Sequence, residues 1–223
     1  MSNTLAVRAA LKSGAGAAEN QLALIAAEQG DRQIAAIVAE FEPTEIAVMV
    51  SDTDMSKPSL VHAFVSPEQF IAAFSRLGAR WGQIDGGIDY VSFQRDVEDF
   101  LCPMILSSDS TERRTAMLSA FMEHELANET LLFLTLGSKE AADLLARPHG
   151  YPFVRNTWQE LLALVYEHHA AAFHEITALA RELEPAGAEG AHRFAHSLLT
   201  ALYAEASEHQ TTETVEEEEF VDI

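Results

Sequence analysis

The feature that most constrains this chain is a helical spacing of apolar residues, chiefly Ala and Leu, broken at intervals by residues that start or stop helices. Side chains three and four positions apart share one helical face, so each segment carries a stripe to bury and an all-α fold is expected. Thr4 to Lys12 reads as a first helix, ended by Ser13-Gly14-Ala15-Gly16. A second runs from Ala17 to Gln29 and stops at Gly30, a residue that takes the left-handed conformation of a helix end without steric cost. Asp31 is the expected N-cap of a third helix, which carries Ile34, Ile37, Val38 and Phe41 on one side.

Pro43 and Pro67 each occupy a first-turn position ahead of acidic or amide and then apolar residues, and Ser66 with Gln69 has the spacing of a capping box. Two helix starts in matching register suggest a short helical repeat over residues 1–80. A rival reading stays open for residues 45–66. There, two short Val-containing apolar runs flank Asp52-Thr53-Asp54-Met55-Ser56-Lys57-Pro58, a pattern that a β-hairpin also satisfies. The glycines Gly78, Gly82, Gly86 and Gly87 around Trp81 mark a joint. Beyond it, helices are expected at Tyr90 to Leu101, Thr111 to Leu136, Lys139 to Leu145, Trp158 to Leu183 and Gly190 to Ser207, forming an antiparallel bundle over residues 88–208. Thr157 and Glu160 have capping-box spacing before the Trp158 helix, and Arg147-Pro148-His149-Gly150-Tyr151-Pro152 is a stiff connector leading to it.

The stretch from Gln21 to Leu77 resembles the helical repeats in the N-terminal domain of MgtE-type magnesium transporters. It does so through the Gly30-Asp31 break, through Pro43 with Glu45-Ile46-Ala47, and through Ser66-Pro67-Glu68-Gln69-Phe70. That resemblance implies a helical-repeat surface for interaction. It implies no transport, since no nucleotide-sensing module or membrane domain follows.

Charge and cysteine usage narrow the function. With 35 acidic and 14 basic residues the formal charge is −21, which disfavours a direct grip on nucleic acid phosphates or anionic lipid and favours a protein partner with a basic or mixed basic and apolar surface. Cys102 is the only cysteine, which fits a reducing compartment. The start, Met-Ser-Asn-Thr-Leu-Ala-Val-Arg, has no basic region leading into an apolar stretch, and no long uncharged apolar run follows; the expectation is a cytoplasmic protein without a membrane span.

No nucleophile elbow, phosphate-cradling loop or dinucleotide fingerprint occurs, and Cys102 lies in the apolar run Phe100-Leu101-Cys102-Pro103-Met104-Ile105-Leu106 with no cation beside it. Histidines are the remaining candidates for chemistry. His169 falls in the stripe made by Trp158, Leu162, Val165, Ala172, Ile176 and Leu183, and His124 in that of Met117, Phe121, Leu131 and Leu132. His192 and His196 have the i, i+4 spacing by which two imidazoles reach one metal. His124, His169, His192 and His196 are thus a candidate site for a divalent transition metal between facing helices. The competing reading is of core or surface histidines hydrogen-bonded to neighbours.

Residues 209–223 change character. Six acids and no base lie between Thr211 and Ile223, the composition of a disordered acidic tail. Glu216, Glu217, Glu218 and Glu219 precede Phe220, Val221 and Ile223, a pairing of charge with apolar anchors that suits a basic groove. In composition it resembles the acidic C-terminal tips by which some bacterial proteins recruit partners. The leading reading is therefore a non-enzymatic adaptor or regulatory protein working through protein–protein contacts. The alternatives are a metal-binding helical-bundle enzyme and a factor that mimics the charge of nucleic acid.

Overall fold

Local punctuation sets the helix boundaries. The computed structural model describes residues 2–51, 59–76, 90–145, 158–183 and 193–204, with backbone alone at 51, 90–92 and 137–145. Among these residues every regular element is a helix. In α1 (Asn3–Leu11) the Ser2 hydroxyl accepts from the Leu5 amide. Gly14 precedes α2 (Ala15–Gln29) and Gly30 follows it, at φ of 121° and 79°, conformations that a Cβ would penalise. Gly30 is also the N-cap of α3 (Asp31–Ala39). Asp31 is therefore the first helical residue and not the cap, and its carboxylate lies at the positive end of the helix.

Among the described residues the rival hairpin reading of 45–66 gives way to helices. Glu45 to Ser51 lies inside α4 (Pro43–Ser51), and the second run forms α5 (Leu60–Phe64). Ile46, Met49 and Val50 are all buried, a helical and not an alternating pattern. At the start of α5 the Ser59 hydroxyl accepts from the His62 amide, and the Glu19 carboxylate of α2 accepts from Ser59 Oγ (2.5 Å), Leu60 N (3.1 Å) and Val61 N (3.5 Å). Side-chain acceptors thus satisfy amides that a strand would have turned to a neighbour. The intervening turn, 52–58, lies outside the described residues. Next comes α6 (Pro67–Phe74), opened by the full Ser66/Gln69 capping box. Gln69 Nε2 also donates to the carbonyls of Val38 and Phe41, tying α6 to the end of α3.

The second half consists of α7 (Tyr90–Leu106), α8 (Thr111–Met122), α9 (Ala127–Leu145), α10 (Trp158–His168), α11 (Ala170–Leu183) and a helix over 193–204, here α12. Two helices expected to be continuous are divided. The 111–136 segment breaks at 123–126, after which α9 runs without interruption through 137–145. The 158–183 segment breaks at His169, although His169 N still bonds to Val165 O (2.7 Å) and Phe173 N to His169 O (3.1 Å), so the hydrogen-bond register carries across the break. On either side of the break, α10 lies on α7 and α11 lies on α9. The expected joint at 78–89 and the connector 147–152 with Thr157 lie outside the described residues. At Trp158 it is the Glu98 carboxylate of α7 that accepts the backbone amide, at 3.1 Å.

Packing centres on α7, whose Phe93, Val97, Phe100, Leu101, Met104 and Ile105 are buried. It touches α4 and α5 as well as α8, α9 and α10. Phe70 lies 5.9 Å from Phe100, and Phe74 meets Phe121 edge-on at 5.4 Å between ring centroids. Through these rings α6 joins α7 and α8, and the apolar core runs continuously from Val7 to Leu202. Full burial of each such ring contributes about 2–3 kcal/mol. Among the described residues no helix is long and apolar enough to cross a membrane.

Candidate interaction surface

On α1, Val7 and Thr4 are buried, which turns Leu5 and Ala9 outward. Leu5 is 54% exposed and Val48 of α4 is 47% exposed, and both line one groove. The groove encloses about 520 Å³ and is lined by Leu5, Arg8, Leu11 and Lys12 on one side and by Thr44, Glu45 and Val48 on the other. Arg8 Nε and Nη2 donate to the two carboxylate oxygens of Glu45 at 2.8 and 3.0 Å, and Nη2 also donates to the Glu40 carbonyl at 2.8 Å. Glu45 in turn accepts the Glu42 amide at 2.9 Å. The Glu45 hydrogen bond, aided by the negative charges of Glu45, Glu42 and Glu40, holds the Arg8 guanidinium above its ordinary value. A forked pair of this kind fixes orientation more than it stabilises, since its partners are partly solvated. The lining of the groove thus combines exposed aliphatic side chains with the Arg8–Glu45 ion pair and Lys12.

The histidines singled out by the sequence have separate surroundings. His124 lies in the break between α8 and α9. Its Nδ1 accepts the Leu126 amide at 3.1 Å, its Nε2 lies 3.2 Å from Ser75 Oγ, and its ring meets Phe74 edge-on at 4.9 Å. With Nδ1 accepting, the Nε2 proton is the one that faces Ser75. His169 occupies the α10–α11 break, and His196 is exposed on α12. His192 lies outside the described residues, as do Glu216, Glu217, Glu218, Glu219, Phe220, Val221 and Ile223. Among the described residues no three His, Cys, Asp or Glu side chains are grouped to hold a metal ion.

Two features escape a reading of the sequence. The groove pairs Leu5 with Val48 and Arg8 with Glu45, residues far apart in the chain, and only the i, i+4 recurrence of Leu5 and Ala9 hinted at a second face on α1. The other is a buried polar junction. His62 is 5% exposed, and α8 sends Arg113 across to bond the carbonyls of His62 (3.0 Å) and Val65 (2.6 Å). Compared with protein-family models, with curated proteins and with solved structures, the chain gives no match.

Proposed function

We propose that the chain is a non-enzymatic adaptor or regulatory protein that works through protein–protein contacts, with the α1–α4 groove as one docking surface and residues 216–223 as a second. The observation that carries the reading is the pair of exposed aliphatic side chains, Leu5 and Val48, that line one groove together with the Arg8–Glu45 fork. Such a groove suits the apolar anchors of a partner segment, while the charged residues around it set orientation. The acidic block ahead of Phe220, Val221 and Ile223 favours a partner with basic and apolar character. The likeness of residues 21–77 to helical repeats that serve as interaction surfaces points the same way.

The test is affinity capture with the full chain beside Leu5→Asp/Val48→Asp and a chain truncated after Gln210. Both groove side chains are exposed, so the double variant is expected to keep its melting temperature and lose retained partners at least tenfold. The reading fails if the full chain retains nothing, or if everything it retains survives both changes.

A further inference from the structure

Helix α5 is a short segment held at both ends by side chains from elsewhere. Glu19 receives its first amides, and Arg113 Nη2 donates to the His62 and Val65 carbonyls. Neither polar group at the far end is fully satisfied. Arg113 Nε and His62 Nε2 are both buried without a hydrogen-bond partner among the described residues. No carboxylate among those residues pairs with Arg113, and burial lowers its guanidinium from the ordinary value.

Among the described residues, the elements around α5 bring no free carboxylate to a charged imidazole. From α2, Glu19 is engaged by Ser59 and the Leu60 and Val61 amides. On α3, Asp31 and Arg32 are exposed, and on α4, Glu45 is held by Arg8. On α7, Glu98 accepts from Trp158, Asp99 pairs with Arg95, and Asp96 is exposed. From α8 comes Arg113, a cation.

We propose that this junction is an acid-triggered latch: a proton taken up by His62 places a positive charge in the interior of the junction that Arg113 ties to α8, and the segment 59–66 releases from α8, uncovering Val61 and Val65. Burial holds the closed His62 down to about 4, whereas the released imidazole titrates near its ordinary 6.5. The closed state is therefore fully favoured above pH 6.5 and weakens as pH falls from 6.5 toward 4. Between pH 6.5 and 4 the opening equilibrium rises about 80-fold, and over the whole titration about 300-fold.

Amide hydrogen exchange of the full chain, corrected for intrinsic rates, tests this. Protection of amides 60–65 is expected to fall of the order of 100-fold between pH 7 and 4.5, ahead of the amides of α9. The fall disappears in His62→Gln. If His62→Gln fails to fold, an NMR titration of the His62 ring in the unaltered chain decides the matter. An imidazole that titrates near 6.5 while amides 60–65 stay protected overturns the latch. So does protection that is independent of pH, or a loss of the same size in His62→Gln.

Discussion

Phe74 meets Phe100, Phe121 and His124 at centroid separations of 6.3, 5.4 and 4.9 Å, so one side chain of α6 is shared by α7, α8 and the α8–α9 break. Cys102 shows the other consequence of such packing. It is 1% exposed, and burial, joined by the negative charges of Glu98, Asp99 and Glu160, pushes its thiol well above the usual range. A thiolate is the reactive species, so Cys102 is expected to be silent toward a disulfide reagent at pH 8 in the native protein and to react at the rate of a free thiol in denaturant. Comparing the two reaction rates checks this, and a fast native reaction contradicts the burial. Inertness at Cys102 was legible in the sequence, because its apolar neighbours and the lack of a nearby cation are local facts. The role of His124 was not. Its ring position is set by Ser75 and Phe74, which approach it from another helix.

At the scale of elements, local chemistry and long-range contact divide the work. Pro43, Pro67, Gly30 and the Ser66/Gln69 box announce their helix boundaries because each acts on its own backbone within a turn. The second apolar run, Ser59 to Ser66, was ambiguous for the opposite reason. Its five-residue helix is too short to persist alone, and it depends on Glu19 of α2 to receive its amides. Glu19→Ala is accordingly expected to cost about 1–3 kcal/mol in urea unfolding, through amides left without an acceptor. A cost indistinguishable from that of an exposed surface substitution contradicts this account. The breaks at 123–126 and at His169 have the same character. Helical spacing persists through both, and at His169 the break divides a helix that lies on α7 from one that lies on α9.

For the whole molecule, net charge and core pull in opposite directions. A formal charge of −21 on 223 residues repels itself in the compact state, and the repulsion is screened once the Debye length falls to about 10 Å near 0.1 M salt. The melting temperature is therefore expected to rise by several degrees between 10 and 200 mM NaCl. Calorimetry at neutral pH checks this, and an unchanged or falling value shows that particular ion pairs outweigh the overall repulsion. Against that repulsion stands an apolar core continuous from α1 to α12, with α7 touching helices of both halves.

By itself the sequence determined the all-α class, most of the helix starts and the strongly acidic surface, because spacing, capping and charge are written residue by residue. Tertiary structure alone decided that the second apolar run is a helix and that α7 lies among elements of both halves. It alone decided, too, that Leu5 and Val48 flank one groove and that His62 sits buried beside Arg113. Each of these depends on which distant surfaces exclude water together, a property of pairs of residues that no single stretch of chain contains.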